Sequence, residues 1–251
     1  MSTQQASRSR QHTERPTDAD QSTLRSESSG SAEAVTEVIR QVKPKLRGWL
    51  HAGWTPLAVA AGIVLVVLAP TGLGKLGGAV FLAASLLLFG TSALYHRFYW
   101  GAQGEAVLRR MDHANIFVFI SATYTPLALL LLEGTDRVVL LSLVWGAAVI
   151  GLLFRLFWLS APRALYTVLY LAVGWAAVGW MPQLWTNGGP VVVVLIAAGG
   201  LLYTVGAIVY GTKRPNPSLR WFGFHEIFHA CTILAFTCHY IAISMATYAA
   251  G

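Results

Sequence analysis

From Trp54 onward the chain alternates long apolar runs with short polar breaks. The runs fall near residues 54–70, 76–96, 112–132, 137–158, 164–184, 191–211 and 224–246. Each approaches the ~20 residues that carry an α-helix across the hydrocarbon core of a bilayer. The breaks hold residues that end helices: Pro70-Thr71-Gly72, Glu133-Gly134-Thr135-Asp136, Asn187-Gly188-Gly189-Pro190 and Pro215-Asn216-Pro217. The divisions at the first loop and around Ser160-Ala161-Pro162 are the least marked. Period-2 alternation is absent, which disfavours a membrane β-barrel. The pattern predicts an all-α fold, a bundle of seven transmembrane helices over residues 43–251. Residues 1–42 are rich in Ser, Thr, Gln, Arg and Glu and nearly devoid of large apolar side chains. They cannot bury enough surface to offset ordering entropy, so a disordered cytoplasmic tail is expected there. No apolar stretch follows a short basic start, so the tail does not read as a signal peptide.

Composition agrees with the pattern. Hydrophobic residues make up 55% of the chain and charged residues 12%, against roughly 25% charged in soluble domains. The net charge of +7 does not imply a nucleic-acid partner, because the positive residues flank the apolar runs. Lys43, Lys45 and Arg47, then Arg97, Arg109 and Arg110, then Arg155 and Arg163, then Lys213, Arg214 and Arg220 fall on one side, eleven in all. Lys75 and Arg137 are the two on the other. Positive residues mark the cytoplasmic face, so the N-terminus is expected to be cytoplasmic and the C-terminus extracytoplasmic. The setting is then the inner (plasma) membrane of the cell, crossed several times, with membrane lipids as partners. Cys231 and Cys238 lie seven residues apart in one span, about 10 Å along a helix. That is too far for a disulfide, and they read as two buried thiols.

Ionisable residues in or beside membrane spans are costly and usually functional. His96 closes the second span, Asp112 opens the third, and His225 and His229 open the seventh. The charge count places all four at the cytoplasmic ends of three helices. His225 and His229, at i and i+4, share one helix face. Two such imidazoles can bind one tetrahedral ion, and His96 would supply a third nitrogen. Three protein ligands with a fourth position open is the pattern of catalytic zinc. Asp112 could ligate directly or hold a water as its base. Ser92, four residues before His96, could donate to a developing oxyanion or bond back to its own helix. His51, His113 and His239 read as solvated or hydrogen-bonded residues, and His239 lies too deep to join the cluster. Arg109 and Arg110 read as topology determinants, and Pro126 as a kink in the third helix. His225-Glu226-Ile227-Phe228-His229 also matches the H-E-x-x-H pattern of metalloproteases, in which the glutamate is the general base.

The motifs Ser92-Ala93-Leu94-Tyr95-His96-Arg97, Asp112-His113-Ala114-Asn115-Ile116-Phe117, Thr123-Tyr124-Thr125-Pro126 and His225-Glu226-Ile227-Phe228-His229, with Cys238-His239-Tyr240, resemble the bacterial hemolysin III group. That group belongs to the progestin and adipoQ receptor family, which includes the adiponectin receptors. The resemblance covers roughly residues 43–247. It implies seven helices, a cytoplasmic N-terminus and a Zn2+ ion near the inner membrane surface. By the same resemblance His96, His225 and His229 bind the zinc, Asp112 contacts it through water, and Ser92 is the family serine. Adiponectin receptors carry glutamine at the position of Glu226, which counts against a protease base there. The resemblance further implies kinship with membrane hydrolases thought to cleave lipid amides such as ceramide, and with bacterial proteins named for hemolysis and linked to membrane-lipid homeostasis.

Three functions are therefore expected to compete. The first is a zinc-dependent hydrolase of lipid amide or ester bonds. The second is a pore-forming, cytolytic membrane protein, although Ser121, Thr123, Thr125, Ser142 and Thr204 form no continuous polar stripe. The third is a receptor or sensor with structural zinc.

Overall fold

A computed structural model describes residues 44–158, 162–218 and 220–251. The tail expected over residues 1–42 and most of the Ser160-Ala161-Pro162 loop lie outside the described residues. Among the described residues, regular structure is helical apart from one isolated bridge between Ser218 and Phe222. Helix α1 spans Trp49–Leu68, α2 Gly72–Arg97, α3 Ala102–Leu131, α4 Gly134–Phe157, α5 Arg163–Gly174, α6 Met181–Thr212 and α7 Phe224–Ala249. A 3-10 turn, Ala176–Trp180, joins α5 to α6. In hydrocarbon each backbone N–H and C=O must find its partner within the protein, and a helix satisfies that condition locally. Six stretches of the described chain are long and apolar enough to cross a bilayer, with Ala164–Thr212 counting as one stretch of 49 residues.

Several boundaries fall where the polar breaks place them. Thr71 begins α2, its Oγ1 accepting from the Gly74 amide at 3.1 Å, a side-chain cap for a helix start. Two boundaries differ from expectation. Helix α3 begins at Ala102, so Asp112 lies ten residues, about 15 Å, into the helix instead of at its start. Hydropathy marks the part of a helix that suits lipid, not the residue where its hydrogen bonding begins.

The second difference lies inside the span expected at 164–184. That span is broken at Trp175 by the 3-10 turn. The break expected at Asn187–Pro190 is present: Gly189 takes φ 82° and ψ 169°, outside the helical region, and divides Met181–Thr212 into two helical pieces. A straight helix would hold Thr167 and Gly211 about 66 Å apart. Instead a methyl group built on Gly211 would lie 3.9 Å from Thr167. The Trp175 indole also donates to Thr204 Oγ1 at 3.0 Å. The 49-residue stretch therefore doubles back, and its two halves run side by side.

The core is an aromatic cluster sealed by small residues. Phe236 of α7 stacks on Phe81 of α2 at 5.3 Å and meets Phe89 edge-on at 5.2 Å. Phe119 of α3 lies 5.8 Å from Phe81. Buried polar side chains tie the helices together. Asn115 Nδ2 of α3 lies 3.0 Å from the Leu87 carbonyl and 3.1 Å from Thr91 Oγ1, both on α2. The Ser121 hydroxyl donates to the Val144 carbonyl of α4 at 2.6 Å. Cys231 and Cys238 are free and half-buried.

Asn115→Leu should lower stability by about 1 kcal/mol, since a typical intramolecular hydrogen bond contributes about that much. Thermal unfolding in detergent checks this, with helix content expected to stay unchanged.

Candidate metal centre

Helices α2, α3 and α7 each deliver a part of the site. His96 is the next-to-last residue of α2, and His225 is the second residue of α7 with His229 one turn on. The Nε2 atoms of His96 and His225 lie 3.1 Å apart. The ring of His229 lies 4.5 Å from that of His225 and 5.3 Å from that of His96. One nitrogen from each of the three residues falls within 4.8 Å of the other two. Asp112 joins from α3, its Oδ2 3.7 Å from His96 Nε2. Ser92, 2% exposed, lies within hydrogen-bonding reach of the Asp112 carboxylate.

These donors fit a zinc ion. A tetrahedral centre with Zn–N bonds of 2.0–2.1 Å separates two donor nitrogens by about 3.3 Å, close to the His96–His225 separation. An N–H···N hydrogen bond would explain that one contact but would leave the convergence of His229 without a cause. Three imidazoles are a borderline-soft set suited to zinc. Three buried histidines thus come together in a possible metal site.

A cavity adjoins the cluster. Asp112, Ser92 and His229 line it at the cluster, and Trp175, Tyr203 and His239 line it farther along the helices. Ile116, Phe119 and Ile120 lie between.

Residues 39–240 match the family model described as Haemolysin-III related. The chain belongs to that family. It is 34% identical to the Hemolysin-3 homolog of Bacillus subtilis (strain 168) over 146 residues, 58% of this chain and 68% of the relative. It is 29% identical to Hemolysin-3 of Bacillus cereus over 182 residues, 71% of this chain and 83% of the relative. Together with its six apolar helical stretches, this makes the chain a multi-pass membrane protein.

In this haemolysin-III chain the glutamate of H-E-x-x-H is not among the residues that line the cavity. Glu226 is fully buried. Its Oε1 accepts from Arg47 Nε at 3.0 Å and its Oε2 from the Gly223 amide at 2.7 Å. Both oxygens are engaged, which counts against the base role that the protease reading requires. Glu226 instead caps the first turn of α7, the turn that carries His225. The segment before α1 is held in the same way. The Lys45 amide donates to the Arg220 carbonyl at 2.9 Å, and Arg97 covers the Trp49 ring at 4.0 Å. Gly48 takes φ 79°, and a side chain there would strike His96 Cβ at 2.7 Å. Only glycine suits both that backbone and that contact. Residues 44–48 thus brace the ends of α2 and α7 together.

His51 departs from its expected role as a solvated or hydrogen-bonded residue. It is 3% exposed, and its ring stacks on His229 at 3.7 Å with 12° between planes. Phe89 meets it edge-on at 5.1 Å. Neither of its ring nitrogens has a hydrogen-bond partner among the described residues. No spacing links position 51 to the other histidines. The only signal in the sequence is that it lies at the same end of its span as they do. His113 keeps to its expected role: Nδ1 donates to the Arg109 carbonyl at 2.7 Å, and Nε2 faces the Tyr210 hydroxyl at 3.0 Å.

Arg47→Ala strands the Glu226 carboxylate without its counter-charge and should cost about 3 kcal/mol, the lower end for breaking a buried pair, read as a fall in thermal stability. His51→Phe keeps a flat ring against His229, whereas His51→Ala removes it. Titration against a chelator should show metal affinity near wild type in the first and about tenfold weaker in the second, as for other supports of a metal ligand.

Proposed function

We propose that this chain is a zinc-dependent hydrolase of lipid amide or ester bonds at the inner face of the plasma membrane, with a role in membrane-lipid homeostasis. The observation that carries the reading is three imidazole nitrogens within 4.8 Å of one another, beside a carboxylate, at the head of a largely apolar cavity. His96, His225 and His229 would hold the ion. Zinc in such a set supplies Lewis acidity toward a carbonyl oxygen and toward water. Asp112 orients the attacking water and takes its proton, since its carboxylate lies beside the cluster yet outside the group of three nitrogens. Ser92 gives its one hydroxyl proton to that carboxylate, and once Asp112 has taken the proton of the water the hydroxyl is free to turn toward the charge developing on the carbonyl oxygen. Ile116, Phe119 and Ile120 receive the acyl chain and keep bulk water from the carbonyl.

The topology that serves this chemistry has seven passes, with a cytoplasmic N-terminus. The doubled-back stretch Ala164–Thr212 then crosses twice. The distribution of Lys and Arg supports this sidedness, and the contact between Thr167 and Gly211 supports the double crossing. The relatives' names speak of hemolysis, but a conducting lumen calls for polar walls, and this cavity is walled mainly by apolar and aromatic side chains.

Purified protein should contain about one zinc per chain, and His229→Ala should contain little, by metal analysis. Release of fatty acid from ceramide or a lipid ester should stop in His225→Ala and Asp112→Ala. Turnover unchanged in both variants would rule the hydrolase out. Loss of zinc that melts the protein, with no turnover in the wild type, would leave only a structural ion. Reporter fusions after Thr212 and after Trp180 should report opposite sides of the membrane, and equal sides would exclude the double crossing.

A further inference from the structure

The cavity ends in a second polar group, remote from the metal cluster. His239 Nε2 lies 3.2 Å from the Ile196 carbonyl. A carbonyl only accepts, so that nitrogen carries the proton and Nδ1 is left as an acceptor. Nδ1 has no partner among the described residues, and neither has the hydroxyl of Tyr203. The two rings meet edge-on at 5.6 Å, and both side chains line the cavity. Neighbouring hydroxyls are already committed to backbone carbonyls: Tyr124 to Gly174, Thr204 to Gly200 and Thr123 to Phe119. What remains open is one acceptor and one hydroxyl that can donate.

The surroundings make room for this arrangement. A side chain on Gly199 of α6 would collide with the His239 imidazole. Its absence admits the ring and lets Nε2 reach Ile196. His239 follows His229 by ten residues on the same helix, about 15 Å along the axis, the span of an extended acyl chain of medium length. Buried polar groups left without partners are destabilising, and this pair borders a cavity that runs back to Asp112 and Ser92.

We infer that Tyr203 and His239 form a hydroxyl-binding subsite, which selects acyl chains bearing a hydroxyl group far from the carbonyl end. The inference rests on the reading that the cavity takes an acyl chain. The ligand hydroxyl donates its proton to His239 Nδ1 and accepts from the Tyr203 hydroxyl, so both open groups are satisfied by one group of the matching kind. A trapped water would satisfy the same pair, and the experiment separates the two.

Full-length protein in lipid nanodiscs is loaded with a fluorescent fatty acid, which is displaced by 12-hydroxydodecanoic acid or by dodecanoic acid. The wild type should bind the hydroxy acid about tenfold more tightly. Tyr203→Phe removes one oxygen and should bring that ratio close to one while changing dodecanoic acid affinity little. His239→Phe should do the same, and if it fails to fold, Tyr203→Phe decides alone. His225→Ala should leave the ratio as in the wild type, whatever it does to metal content. Equal affinities in the wild type would mean water alone fills the subsite and would overturn the inference, as would a ratio that survives Tyr203→Phe. Failure of both acids to bind the wild type would instead defeat the acyl-chain reading, and the subsite with it.

Discussion

Arg47 and Glu226 meet at 3.0 Å with the carboxylate sealed from solvent, and the arrangement of the site follows from that contact. A buried carboxylate is tolerable only when its oxygens are matched by donors. Here one donor comes from the segment before the first helix and the other from the backbone amide that opens the last. The pair therefore fixes where α7 begins, and with it the direction in which His225 and His229 project. Gly48 then lays the same segment against His96. One buried charge pair thus joins the histidine-bearing ends of two helices far apart in sequence. It stiffens the floor of the histidine cluster without touching it.

Much of this was legible in the sequence, and the legible part has a physical reason. Lipid demands continuous hydrogen-bonded helices, so apolar runs disclose them directly. The i,i+4 relation of His225 and His229 survives into the structure because helical geometry fixes it locally. The depth shared by His96, Asp112 and the α7 pair followed from the sidedness of Lys and Arg alone.

The parts that stayed hidden depend on contacts between helices. Glu226 read as a candidate base because its motif contains two flanking histidines, yet its direction is set by Arg47, 179 residues earlier. His51 has no periodic relation to any ligand and meets His229 only through packing. The onset of α3 at Ala102 was hidden because that turn is polar. The reversal expected at Asn187–Pro190 is where Gly189 leaves the helical region, but the 3-10 turn at Trp175 stayed hidden because it interrupts an apolar run that hydropathy cannot divide.

The imidazoles of His96 and His225 are separated by 129 residues. During synthesis the second helix leaves the ribosome long before the last one, and domains of this length form in that order. Until α7 has been inserted, His96 faces a partial bundle without its two companions. A chain shortened before Gly223 could settle in the bilayer with most of its helices and still lack two of the three clustered histidines. The three-histidine cluster is thus assembled only when the protein is almost complete, and no shorter nascent chain can offer all three imidazoles to one ion.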